Sequence, residues 1–188
     1  MDSFTSLITG RRSTRKFREE PLSPEQVKSI LKAALMAPTS KGASSWQFVV
    51  VEDTNTLRQL AGCKKHGSAF LDGCALAIVV LSDVSRTDVW IEDASIAASY
   101  MQLQAEDLGL GSCWCQVRNR LMEDGYESEQ YVRELLDIPR QFGVLSIIGF
   151  GLKAQERKPL DKSYLLWEKV HFGRFTMPGV PLQQNLQA

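Results

Sequence analysis

Three stretches of the chain are apolar almost from end to end: 46–51 (Trp-Gln-Phe-Val-Val-Val), 75–81 and 143–150. A strand with one wet face alternates apolar and polar residues. A nearly continuous apolar run is instead read as a strand buried on both faces. A sheet of such strands needs cover on each side, and the intervening segments supply it. Ser112–Val117 reads as a further strand of the same kind.

The cover is helical. Asp2–Thr9 is predicted as a short helix with Phe4, Leu7 and Ile8 on one side. Ser23 can cap a second helix, with Pro24 at its first position and Gln26 at the capping-box position. Val27, Ile30, Leu31, Ala34 and Leu35 then recur at helical spacing, and Pro38 is expected to end the run. Thr54–Leu60 is a short helix, Asp93 opens the longest one, Gly109 stops it, and Ser128–Leu136 is the last. Strands alternating with helices would by themselves point to a parallel, doubly wound sheet. The glycine fingerprint of that fold is missing, because Gly109-x-Gly111 follows a helix and precedes a strand.

At 188 residues the chain fits one domain, 1–188, with 160–188 as a C-terminal extension. The formal net charge is zero, so no global field points to nucleic acid or to an anionic membrane. No apolar run approaches the roughly 20 residues that span a bilayer. No secretory signal pattern opens the chain, and a cytoplasmic address is expected. Four cysteines, at 63, 74, 113 and 115, do not make a disulfide scaffold at this length, and Cys113-x-Cys115 has the wrong spacing for a zinc knuckle. They read as small buried residues, and no metal site is expected.

Charge is concentrated locally in Arg11-Arg12-Ser13-Thr14-Arg15-Lys16-Phe17. Guanidinium forks give paired, charge-assisted hydrogen bonds to an anion, and hydroxyls add directional ones. In an extended segment Arg11, Ser13 and Arg15 share one face. A solvated basic turn is the competing reading. A second stretch follows the second helix: Ala37-Pro38-Thr39-Ser40-Lys41-Gly42-Ala43-Ser44-Ser45-Trp46.

In this order and at this distance the two stretches resemble the nitroreductase family of flavin enzymes. That family's pattern is Arg-Arg-Ser-x-Arg-x-Phe, then a helix, then Ala-Pro-Ser-x-x-Asn-x-Gln-Pro-Trp. Here Gly42, Ser44 and Ser45 replace the Asn, Gln and Pro. Asp93 at a helix start, the segment Leu108–Trp114 and Ile147-Ile148-Gly149-Phe150 extend the resemblance over most of the chain.

The resemblance implies an α+β sandwich, with a central, mostly antiparallel sheet flanked by helices and an intertwined homodimer. It implies bound FMN, with Arg11, Arg12, Ser13 and Arg15 as the first cofactor segment. Pro38, Thr39, Ser40 and Gly42 form the second, reaching across from the partner. Trp114 lies in a region that approaches the flavin, and Gly149, Arg157 and Lys158 form a third group. Lys153 is an alternative phosphate ligand, and His66 and Trp90 are further candidates. No side-chain acid or base is required. The implied activity is hydride transfer from NAD(P)H to a small acceptor such as a nitroaromatic or quinone. The alternative is a flavin store or sensor without turnover. The irregular apolar residues of 164–188, among them Trp167, Val170, Phe172 and Phe175, are expected to pack on a second copy.

Overall fold

The computed structural model describes residues 4–175. Four strands, β1 (Trp46–Val51), β2 (Leu76–Asp83), β3 (Leu110–Gln116) and β4 (Phe142–Leu152), form one sheet in the order β1-β2-β4-β3. Every pairing is antiparallel, so the doubly wound arrangement suggested by alternation alone does not occur. The α+β sandwich implied by the resemblance is the fold observed.

β2, β3 and β4 are largely buried on both faces. The edge strand β1, expected to be buried on both, is only partly covered, with Gln47 and Val50 exposed. The side chains sort by period two. Along β2, Leu76, Ile78 and Val80 enter one layer with α2 (Pro24–Leu35) and α4 (Trp90–Asp107). Ala77, Val79 and Leu81 enter the other, with α3 (Thr54–Ala61), a 3-10 turn at Ala69–Gly73 and α5 (Ser128–Leu135). The register slips between Val80, opposite Ser146, and Leu81, opposite Val144. Leu145 is the extra residue of this bulge, and its carbonyl accepts from the N–H groups of both Val117 and Arg118.

Local chemistry explains the helix ends. Ser23 and Gln26 form the reciprocal capping box, and Pro24 occupies the first turn. α2 stops at Leu35, before Pro38, where Met36 N bonds back to the Lys32 carbonyl. α4 begins at Trp90 rather than at Asp93, so the buried Asp93 lies inside the first turn. Gly109, at φ +72, turns the chain from α4 directly into β3.

α1 (Phe4–Gly10) lies against α4 and leaves Phe4 and Ile8 exposed; the expected start at Asp2 falls outside the described residues. Beyond β4 the chain makes short 3-10 turns at Lys162–Tyr164 and Trp167–Lys169. Tyr164, Leu165, Leu166, Trp167, Val170, Phe172 and Phe175 are all exposed there. The Met177–Pro181 stretch lies outside the described residues.

Candidate functional site

The first basic stretch is bound to an edge of the sheet rather than free in solvent. Ser13 forms a parallel bridge with Ser112, Thr14 N donates to the Ser112 carbonyl at 2.9 Å, and Phe17 bridges Lys153. Two glycines make this approach possible. A Cβ on Gly111 would stand 2.6 Å from Thr14, and one on Gly151 would stand 2.9 Å from Phe17. The segment therefore passes from the β3 edge at Ser112 to the end of β4 beside Lys153.

The chain after β4 returns to the same place. Ala154 N donates to the Lys16 carbonyl, Arg157 Nη1 to the Ser13 carbonyl at 3.3 Å, and Arg12 Nη1 to the Lys158 carbonyl at 3.1 Å. Thr14, Arg15, Lys16, Gln155 and Arg157 line a concavity of about 120 Å³. Burial pushes the Cys113 thiol up, while the charges of Arg15, Lys64 and Arg11 pull against it. The charges of these three cations are thus felt at Cys113 in β3. Among the described residues, Arg11, Arg12, Arg15 and Arg157 form no ion pair, so positive charge gathers there without a protein counter-ion.

Lys153 differs. Its ammonium pairs with Glu106 Oε1 at 3.0 Å, and both side chains are only 14% exposed. Of the three basic residues proposed after β4, Arg157 alone lines the concavity, whereas Lys158 contributes its carbonyl. Lys64 was not singled out from the sequence. Its ammonium reaches Cys115, but one lysine in Lys64-Lys65-His66 carries no local signal distinguishing it from its neighbours. His66 is exposed in that loop.

The second stretch is elsewhere. Ser40 N donates to Asp93 Oδ1 at 3.0 Å, and Ser44 N donates to Thr39 Oγ1 at 3.1 Å. Lys41, Gly42 and Ser44 all have positive φ. Gly42, at φ +65 with nothing near its Cβ position, is a left-handed position. Glycine and asparagine are the residues that tolerate it best, so the departure from the family's Asn preserves the backbone.

Trp114 and Gly149 are not part of the groove. Trp114 packs in the α2/α4 layer, opposite Cys113 and Cys115, and donates its indole N–H to Gln116 Oε1 at 3.0 Å. A Cβ on Gly149 would meet Phe70 at 2.9 Å, so this glycine makes room for the 69–73 turn. Trp90 lies at the start of α4 with the Arg118 guanidinium 5.7 Å over its ring.

All four cysteines are free and buried. Its hydrogen bond with Cys115, together with burial, pushes the Cys63 thiol up, and burial pushes Cys74 up to about 12. The hydrogen bond with Cys63 and the nearby Lys64 instead draw the buried Cys115 thiol down, whereas Cys63, Cys74 and Cys113 are packing residues rather than thiolate nucleophiles. No described helix is long and apolar enough to cross a membrane, and no described cluster of His, Cys, Asp and Glu could hold a metal ion.

The sheet and its layers agree with the comparisons to known proteins. The nitroreductase family profile matches residues 8–66 and 59–152, and the chain belongs to that family. A protein of Archaeoglobus fulgidus assigned as an NADH dehydrogenase/NAD(P)H nitroreductase is 33% identical over 84% of this chain and 89% of its own length. The solved structure of an FMN-dependent nitroreductase from Clostridium difficile R20291 superposes with a TM-score of 0.89 at 48% identity, covering 92% of this chain and all of that one. An FMN reductase [NAD(P)H] of Bacillus subtilis is 25% identical over 85% of this chain and 70% of its own.

Proposed function

We propose that this protein is an FMN-dependent oxidoreductase that takes hydride from NAD(P)H and delivers it to a small acceptor such as a nitroaromatic or quinone, in sites completed by two copies of the chain. The observation that carries the reading is the cluster of uncompensated guanidinium groups at the edge of β3. A phosphate monoester brings the counter-charge that cluster lacks, and forked donors suit its oxygens. The residues present thus fit FMN, which when bound supplies the hydride-carrying chemistry.

The protein's own part is binding and electrostatics. Arg15 and Arg157, beside the concavity, would hold the phosphate. Arg11 and Lys64, whose charges are felt at Cys113, would favour negative charge on the bound group. No side chain needs to move a proton for that binding.

The length of α4 supports the two-copy site. Glu106, against Gly10 and Lys153, marks the end of α4 near the first segment, and Asp93 holds the second segment near the other end. At the ordinary helical rise these positions lie about 20 Å apart along the axis. That separation favours a site whose two segments come from two chains with antiparallel α4 helices. Exposed Phe4 and Ile8 on α1 and Ile96 and Tyr100 on α4 give such a pairing an apolar face.

The deciding experiment is spectroscopic and kinetic. Purified protein should be yellow, release FMN rather than FAD on heating, and consume NADH steadily with an added quinone. Protein that stays colourless with added FMN would overturn the reading. A yellow protein that never consumes NADH or NADPH would be a store or sensor instead.

A further inference from the structure

The binding reading leaves Asp93 unexplained. It is 3% exposed, it lies inside the first turn of α4, and its two carboxylate oxygens are treated differently. Oδ1 accepts the backbone N–H of Ser40, while Oδ2 is buried without a partner. A second buried group at this end of the sheet is also unpaired, the indole N–H of Trp46. Its ring pairs with Phe48 at 5.3 Å, and Phe48 packs in the same α2/α4 layer that Asp93 enters.

Burying a carboxylate is costly unless its charge is used. Here it meets the loop whose backbone is hardest to hold. Lys41, Gly42 and Ser44 are all left-handed within four residues, and non-glycine residues keep such a conformation only where the surroundings impose it. Among the described residues three side-chain bonds anchor the loop. Thr39–Ser44 is internal, Ser82 Oγ donating to Ser45 Oγ ties its C-terminal end to β2, and the Asp93–Ser40 bond ties its N-terminal end to the body of the protein.

We propose that Asp93 is a positioning residue for the second cofactor segment. Its buried carboxylate fixes the Ser40 backbone, and with it the left-handed turn through Gly42, in the shape that closes over a bound flavin. This rests on the FMN reading above. The carboxylate is charge-assisted as an acceptor and stabilised by the positive end of α4, so it holds the loop more firmly than a neutral cap. The open Oδ2 gives the same side chain capacity for one further donor when the site is filled.

Asp93→Ala removes the anchor, and Asp93→Asn keeps an oxygen for the Ser40 N–H. Ser40→Pro deletes the donor instead and leaves Asp93 in place. Thr39, at φ −132 and ψ 154, already has the extended conformation that precedes proline. Glu92→Gln, on the exposed neighbouring carboxylate, controls for charge at the helix start.

Two readouts serve: FMN affinity by fluorescence quenching, and tryptic cleavage after the exposed Lys41 in protein without added flavin. Asp93→Ala and Ser40→Pro should each weaken FMN binding by about ten- to hundredfold, the range of one charge-assisted hydrogen bond. Both should speed cleavage after Lys41. Asp93→Asn, which keeps the acceptor but not the charge, should recover part of both properties, and Glu92→Gln should match the wild type. Unchanged cleavage and affinity in Ser40→Pro would overturn the proposal, as would an Asn variant as impaired as Ala. Should Asp93→Ala fail to fold, Ser40→Pro decides alone. Wild-type protein that binds no FMN would sink the function instead, and the cleavage arm would then decide the role of Asp93.

Discussion

Among single residues, Arg15 and Arg18 form a natural contrast. Arg15 lines the concavity beside Arg157, whereas Arg18 donates its backbone N–H to the Leu152 carbonyl and borders a different cleft with Glu52, Arg58 and Asp72. Arg15→Ala should weaken FMN binding by about ten- to hundredfold, the worth of one charge-assisted contact. Arg18→Ala should leave it nearly unchanged, as measured by titrating apoprotein with FMN. Equal losses would mean that the protein senses only its overall surface charge. The basic character and the alternation of the first segment were legible because both are local properties. Its seat was not, since it depends on Gly111 and Gly151 lying opposite Thr14 and Phe17 from distant parts of the chain. The Lys153–Glu106 pair was hidden for the same reason.

For the elements, caps and periods did most of the prediction. β1 occupies 46–51 as read, because a six-residue apolar run has no competing helical period. Strand direction was not legible, because helical connections do not by themselves dictate parallel pairing. The start of α3 offers a test. Asp53 accepts from Thr56 Oγ1 and Thr56 N, and these bonds hold its carboxyl below the ordinary 3.8. A depressed carboxylate stabilises the folded state above its unfolded pKa, and that contribution disappears as pH falls through the folded value. The N-terminal turn of α3 should therefore fray selectively at pH below about 4. In Asp53→Asn, the protection of that turn, taken relative to intrinsic amide exchange at each pH, should lose its dependence on pH in this range. An unaltered acid dependence in the variant would place the titrating group elsewhere.

For the whole molecule, the apolar residues after β4 demand company. Trp167, Val170, Phe172 and Phe175 are exposed, and burying one large apolar side chain is worth roughly 1.5–3 kcal/mol. The sequence signalled this through large apolar residues without a helical or strand period. Any surface they would cover on a second copy is a property of an assembly, which no single-chain pattern contains. Ending the chain before Tyr164 should yield a monomer by sedimentation and lower FMN affinity with it, because folding of the site is then linked to association. A yellow monomer would show that one copy suffices.

The length of α4 has a genetic consequence. If, as proposed, each site is completed by two copies of the chain, a dimer carries two sites, and each draws on both chains. A chain disabled at Arg15 and another disabled at Ser40 would each form inactive homodimers. Mixed together and allowed to exchange subunits, they would produce heterodimers in which one site carries both lesions and the other carries none. Two dead proteins would then regain about half of one wild-type dimer's activity per heterodimer, and the recovery would follow the rate of subunit exchange.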